Sequence, residues 1–473
     1  MKILFTAAEA MPFMKTGGLG DVAGALPQAL NILGEDCRVI MPYYGDIADS
    51  YKRTMTSIGN VYVPLSWRYQ YCGVFSQSIN GVKYYFIDNE YYFKRSGCYG
   101  FYDDAERFAF FSKAILEVLP LIDFYPDVIH ANDWHTALVP VYLDIFHRHR
   151  DEYRNIRTVF TIHNIEFQGK YGKELLADVL GIPQDRTSLL DYEKCCNFMK
   201  GGIETSSVVT TVSRTYAKEI LDPYFSYGLD DILRNRSYKL RGVVNGIDTT
   251  VYNPRRDNAL FKKYDLATIE DKEENKKGLC DLLNIPYKEG RPIITMISRL
   301  TEQKGLDLLA AVLDELLSLD IQLVILGTGD WKYETMLKEY DTRYQGKLKA
   351  IINFNADLAK KLYAGADMFL MPSKYEPCGL SQMMAMRYGT VPIVRETGGL
   401  KDTVEPFNNT TGNGTGFTFY SYNAFDMLGA IKRAIGAYNI KSDWNKIITN
   451  CMNKDFSWTK SAKEYIDIYK EIM

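Results

Sequence analysis

The chain has 473 residues, of which 46% are hydrophobic and 24% charged, and its net charge is −3. That length suits two domains of roughly 100–200 residues each, with room for insertions. The near-neutral charge excludes a polybasic face for nucleic acid or an anionic membrane, so phosphate must be held by local groups. In chain order, the first half offers short apolar runs at 2–8, 37–42, 127–132, 158–163 and 207–213. Their near-continuous apolar character predicts buried strands of a parallel sheet. A helical pattern fills 106–122, and a hairpin is expected as an insertion at 73–88, with Asn80-Gly81 as its two-residue turn. The second half repeats the alternation, with strands predicted at 292–298, 321–327, 349–354, 367–373 and 390–396. The helix after Lys304 places Leu306, Leu309, Ala310, Leu313, Leu316 and Leu317 on one face.

Strand and helix thus alternate twice over, which predicts an α/β protein with two Rossmann-like, doubly wound domains facing a deep cleft. The stretch 241–257 carries Asn-Gly and then Asn-Pro, and the hinge is expected near 243–250. The domains would run over 1–243 and 244–454, with 455–473 an amphipathic helix returning to the first. The eight cysteines include no Cys-x-x-Cys pair, so a reducing compartment, the cytoplasm, is expected. The N-terminal apolar run is too short and broken for a signal peptide, and no run is long enough to span a membrane.

One short motif occurs twice, as KTGGLGD at 15–21 and ETGGLKD at 396–402. Gly18-x-Gly20-x-x-Ala23 fits a permissive dinucleotide pattern. However, the glycines lie about ten residues past the first strand and no acid closes the second, which disfavours NAD. Two readings stay open here. Backbone N–H groups and a helix N-terminus could face phosphate, with Lys15 as a nearby cation, or the loop is a tight turn that needs glycine. Arg299 and Lys304 flank a strand-to-helix loop, where an Arg fork and an ammonium could stabilise a diphosphate leaving group. Glu376, in YEPCGLSQ, is a carboxylate suited to sugar hydroxyls. Cys378 has no His near it in sequence and reads as a lining residue.

Three of the five histidines, His130, His135 and His163, stand with Asp133 and Trp134 near two strand ends and suggest a site rim. No metal-ligand spacing accompanies them, so no metal is expected. The 35 Tyr, 23 Phe and 5 Trp are compatible with a glycan partner, and 89–104 is the segment expected to expose aromatic rings.

Seven motifs (KTGGLGDVAGALP, HANDWHT, TIHNIEFQG, VVNGID, SRLTEQKG, YEPCGLSQMMAMRYG and TGGLKDTV) occur in the order seen in bacterial glycogen synthases and plant starch synthases. The chain resembles that family from Met1 to its last helix. The resemblance implies a GT-B fold and a retaining glucosyltransferase that extends an α-1,4-glucan from ADP-glucose, without cofactor or metal. It implies that Lys15, Gly17 and Gly18 meet the donor phosphates and glucose, while Arg299 and Lys304 stabilise the departing diphosphate. Glu376 would bind glucose hydroxyls beside Cys378 and Gly379, with Thr397, Gly398 and Gly399 offering further donors. His163 would support the cation-like transition state, Asp133 would position hydroxyls, Asn245 and Asp21 would complete the pocket, and Phe354 would stack on the base.

Many wider relatives carry a second Glu eight positions after the first; here Met384 stands there, as in glycogen and starch synthases. The segments show no obvious nucleophile for a double displacement, which favours front-face attack. UDP-glucose as donor and a non-catalytic glucan-binding protein are the alternative readings. A pyridoxal-dependent phosphorylase and a dehydrogenase are weaker ones. The expected partners are a nucleotide-sugar donor and a glycogen or malto-oligosaccharide acceptor, with no nucleic acid and no membrane.

Overall fold

The computed structural model describes every residue from Met1 to Met473. The chain forms two compact units, Met1–Gly246 with Trp458–Met473, and Ile247–Ser457. No helix is long and apolar enough to cross a membrane.

Unit 1 is built on a nine-stranded sheet. Its strands are β1 (Lys2–Thr6), β2 (Asp36–Pro42), β3 (Thr56–Leu65), β4 (Arg68–Ile79), β5 (Val82–Asp88), β6 (Val128–Asn132), β7 (Arg157–Ile162), β8 (Val208–Thr211) and β9 (Leu240–Gly242). The spatial order is β9-β8-β7-β6-β1-β2-β5-β4-β3. All pairings from β9 to β5 are parallel. The order reverses between β1 and β6, and in such sheets ligands bind outside the carboxyl ends of the strands at that point. Ile3, Leu4 and Phe5 are fully buried, as expected for a parallel strand covered on both faces.

The hairpin differs from its expectation as an insertion. Its second arm, β5, pairs parallel with β2 and belongs to the main sheet, while β4 and β3 extend that sheet antiparallel. Asn80 and Gly81 both have positive φ, 51° and 76°, the backbone of a tight I′-type turn. The sequence reading overlooked β3, whose exposed positions, Gly59 and Pro64 suit an edge strand. The helix expected over 106–122 is α2 (Asp104–Glu117). It stops before Pro120, whose ring would clash with the carbonyl four residues back. The 89–104 segment is also different from its expectation: Tyr92 and Phe93 are fully buried, and only Tyr91 and Tyr102 present large exposed rings.

Two further helices shape unit 1. Helix α1 (Gly18–Ile32) follows the first glycine loop. The late helix over Trp458–Ile472 packs on α1, burying Ala462, Tyr465, Ile466 and Tyr469 with helical spacing. Arg214–Glu464 and Arg241–Glu471 ion pairs, at 2.9 and 2.8 Å, lie along its flank.

Unit 2 carries six strands: β10 (Ile293–Ile297), β11 (Gln322–Leu326), β12 (Leu348–Ile351), β13 (Met368–Met371), β14 (Val391–Arg395) and β15 (Phe417–Phe419). Every pairing is parallel, in the order β12-β11-β10-β13-β14-β15. This is the 3-2-1-4-5-6 order of a Rossmann sheet, with its reversal between β10 and β13. Helix α3 (Leu306–Ser318) buries the predicted leucines together with Leu308 and Val312, whereas Ala310 is only partly covered.

Candidate active site

In unit 1 the loops after β1, β6 and β7 leave the carboxyl edge of the sheet beside its reversal. The loop after β1 is organised by Glu9, which is only 2% exposed. Its carboxylate accepts from the Thr16 N–H at 2.5 Å, the Thr16 hydroxyl at 2.7 Å and the Gly20 N–H at 3.1 Å. A buried carboxylate is tolerated only with such partners, and here the partners are the glycine loop itself. Gly17 is extended at the start of α1, with Glu9 Oε1 3.7 Å from where a Cβ would stand; a Cβ on Gly18 would meet open space. Lys15 Nζ lies 2.7 Å from Asp21 Oδ1, and both side chains are about one-third exposed. Such a pair contributes about 0–1 kcal/mol, so the ammonium can exchange Asp21 for an anionic ligand at little cost.

Asp133 follows β6 with a φ of 54°. Its Oδ1 accepts from the His163 N–H at 2.7 Å and, at 3.4 Å, from that of Asn164. Desolvation pushes its carboxyl pKa up to about 7, with Glu9's charge adding to the rise and the two backbone bonds opposing it. His163 Nε2 stands 2.8 Å from Asn132 Oδ1. The Asn132 amide N–H groups are committed to the Thr6 and His130 carbonyls. Asn132 Oδ1 must therefore accept, and the hydrogen sits on Nε2. Burial lowers the His163 pKa to about 3, so the ring is neutral at pH 7 with Nδ1 as an acceptor. Asn245, just beyond β9, is 7% exposed, and its Oδ1 has no hydrogen-bond partner.

The other two rim histidines are structural. His130 lies inside β6, with Nδ1 2.7 Å from Tyr469 Oη and Nε2 2.5 Å from Thr161 Oγ1. His135 is buried among Tyr99, Phe108 and Trp134. Burial pushes both pKa values down to about 3. No three His, Cys, Asp or Glu side chains gather as a metal-binding group.

In unit 2 the loops after β10, β13 and β14 form one packed block. Lys304 Nζ lies 2.6 Å from Glu376 Oε2, and both side chains are largely buried. The Ser373 hydroxyl donates to the same oxygen at 3.0 Å. Gly305, with φ 81°, rests on the Pro372 carbonyl, where any Cβ would overlap. Arg299 is exposed beside this pair, held by one 3.2 Å hydrogen bond to Gln303. Cys378 is 5% exposed, and Gly379 has φ 71°.

Thr397 is fully buried at the start of the turn Gly398–Thr403. A Cβ on Gly398, whose φ is 43°, would overlap the Glu376 carbonyl oxygen, and one on Gly399 would overlap Cys378. The Gly399 N–H already donates to the Glu376 and Pro377 carbonyls, at 3.1 and 3.2 Å. Phe354 stands apart on the loop after β12, 85% exposed.

Sequence reasoning missed Glu9, Ser373 and Asn132. Glu9 had one usable signal, a lone acid in the apolar stretch FTAAEAMPF directly after β1.

A family model described as starch synthase catalytic domain matches residues 2–235, and one described as glycosyl transferases group 1 matches 284–449. The chain is 51% identical to a glycogen synthase of Clostridium acetobutylicum over 477 residues, the full length of both. It is 48% identical to one of Anoxybacillus flavithermus over 475 residues, covering all of this chain and 98% of that one. Among solved structures, the catalytic domain of Starch Synthase IV from Arabidopsis thaliana, bound to ADP and acarbose, superposes with a TM-score of 0.90. It is 32% identical and covers 100% of this chain and 99% of its own. A sucrose-phosphate synthase from Thermosynechococcus elongatus, 17% identical with a TM-score of 0.63 over 100% of this chain and 98% of its own, shares the fold alone. Two sheets, each parallel around its reversal with polar loops there, and full-length identity near one half lead to one statement: this chain belongs to the glycogen synthase and starch synthase family and is a glycosyltransferase of the GT-B fold.

Proposed function

We propose that the protein transfers glucose from ADP-glucose to the non-reducing end of an α-1,4-glucan with retention of configuration. The observation that carries the reading is the largely buried Lys304–Glu376 pair, with exposed Arg299 beside it, at the reversal of a Rossmann sheet. A cation fixed in low-polarity surroundings stabilises developing negative charge without reorganising when the bond breaks. Arg299 and Lys304 would take the diphosphate and Glu376 the glucose hydroxyls. Ser373 keeps one Glu376 oxygen oriented. The Arabidopsis relative, which carries ADP and acarbose, supports a donor nucleotide and a glucan acceptor.

From unit 1, Lys15 and the open face at Gly18 would approach the donor, with Gly17 and Asp21 shaping the loop. Asp133 would hold a sugar hydroxyl. His163, kept neutral and oriented by Asn132, would present its backbone carbonyl toward the anomeric carbon. Asn245 would give its unpartnered Oδ1 to a hydroxyl. From unit 2, Cys378, Gly379, Thr397, Gly398 and Gly399 would line the sugar pocket, and Phe354 would stack on the base.

In the step proposed, the C1–O bond to the diphosphate breaks with its electron pair going to the phosphate oxygen. The acceptor hydroxyl adds to C1 from the same face and gives its proton to that oxygen. A glucosyl adduct trapped on an Asp or Glu side chain would sink this route.

The direct test incubates the protein with glycogen and labelled ADP-glucose or UDP-glucose in parallel, with EDTA present. Label entering the polymer from ADP-glucose is the expected result. Transfer from UDP-glucose alone would overturn the donor, and retention on glycogen without transfer from either would overturn the enzymatic reading.

A further inference from the structure

Unit 2 has a second polar concavity on the opposite side from Lys304 and Glu376. Helix α4 (Ser381–Arg387) starts after the Cys378–Gly379 loop and runs back toward the start of β14. Its last residue, Arg387, therefore lies by the amino ends of the strands, whereas Lys304 and Glu376 lie by their carboxyl ends. A cavity of about 450 Å³ is lined there by Arg255, Arg256 and Arg387, with Asp265 as its one acid. It adjoins a second cavity of about 360 Å³, which shares Arg387, Met452 and Asn453 with it.

Three features mark this as a built cationic cradle. First, the arginines are poorly neutralised. The Arg387 Nε is buried without a hydrogen-bond partner, and one of its terminal nitrogens reaches only the Met452 carbonyl, at 3.5 Å. The nearest carboxylate to Arg255, that of Asp265, is 3.8 Å away.

Second, the segments bearing the arginines are locked together from beneath. Tyr388, next to Arg387, donates its hydroxyl to Asp257 Oδ2 at 2.6 Å, and Asp257 follows Arg256 directly. The Tyr264 hydroxyl donates to the Tyr388 carbonyl at 2.6 Å. Tyr388, Tyr264 and Asp257 are all buried. Above them, Asn253 turns the chain, taking the Arg255 N–H on its side chain and the Arg256 N–H on its carbonyl. Third, three arginines converge in a chain whose net charge is −3, so the excess is local and not a reflection of a basic surface.

Guanidinium forks with unused donors, carried on a backbone fixed by the buried Tyr388–Asp257 contact, match the oxygens of a phosphate group. We propose that this cavity binds a small phosphate-bearing molecule, a sugar phosphate by its size, at a site separate from the glucosyl-transfer site. The adjoining cavity of about 360 Å³, not the arginine-lined one, is bordered by Ile247 and Ser457, the first and last residues of unit 2.

The test is titration calorimetry of the full chain with fructose 6-phosphate, both without and with saturating ADP. Wild type should bind fructose 6-phosphate under these conditions. The exposed double variant Arg255→Ala/Arg256→Ala should bind at least tenfold more weakly. Its thermal midpoint and its transfer rate from ADP-glucose, without added fructose 6-phosphate, should stay unchanged. Arg387→Gln should weaken binding likewise. Absence of binding by wild type, equal affinity in the double variant, or displacement of the ligand by ADP would each overturn the proposal.

Discussion

The two TGGL loops share four residues and a place at the start of a helix, yet their glycines answer to different neighbours. In the second loop the protein itself fills the space: Gly398 and Gly399 lie against the backbone of Glu376 and Cys378, where no side chain fits. In the first loop the matching Gly17 and Gly18 face a single carboxylate and open space, and Glu9 holds the turn by accepting from Thr16 and Gly20. One loop is glycine-rich so that two loops can touch. The other leaves room for something the chain does not supply. Identical motifs therefore do not license identical roles; the atoms around each Cβ position decide.

Substitutions at matched positions test that distinction. Gly398→Ala should have the largest effect. The new methyl meets the Glu376 carbonyl at a positive φ, so the loop carrying the Lys304 partner must move. About 3 kcal/mol of stability and nearly all glucosyl transfer should be lost, as read by thermal unfolding and label incorporation. Glu9→Gln comes next. The amide keeps one acceptor oxygen for three donors, so roughly 1–3 kcal/mol of stability should go, with a raised KM for the donor. Gly18→Ala should leave stability within about 0.5 kcal/mol while raising the donor KM at least tenfold. An unchanged KM would show that this glycine serves only the helix start, which would erase the contrast.

The smallest effect is a pH shift. If ionised Asp133 holds a hydroxyl, kcat/KM should fall as pH drops through about 7, the carboxyl's raised pKa. Removing the Glu9 charge in Glu9→Gln should move that limb to lower pH, because the charge is one cause of the rise. Stability carries the opposite sign for this group. A carboxyl whose pKa is raised on folding contributes fully below its unfolded value near 4 and loses that contribution as pH climbs to about 7. His163, with its pKa depressed to about 3, contributes above about 6.5 and loses that contribution as pH falls toward 3. Chemical denaturation across pH 4–8 separates the two.

Much of the scaffold is legible in the residues. Runs such as KILFT and ITMI are largely apolar because the sheet covers them on both faces, and Asn80-Gly81 announces its turn. The edge strand β3 is not legible, since only two of its ten residues are buried and it carries Gly59 and Pro64. Polar pairings over long sequence separations are hidden as well. Lys304 and Glu376 stand 72 residues apart, and the motifs name both without saying that they pair. His130 and His163 look alike on paper, each in a strand-end motif. They differ because Tyr469, 339 residues after His130, lands on one ring and not the other.

That last contact also orders events during synthesis. His130 sits inside the sheet of unit 1, but one of its partners lies on a helix made only after the whole of unit 2. At ribosomal speeds the intervening stretch takes roughly 10–40 s to emerge. Through that interval the face that receives the Trp458–Ile472 helix is bare, with a buried imidazole lacking a bond and apolar surface of α1 open to water. The first unit to be translated is thus the last to be completed. A nascent chain stalled anywhere in unit 2 should be a chaperone client through its N-terminal half, however well the emerging residues fold.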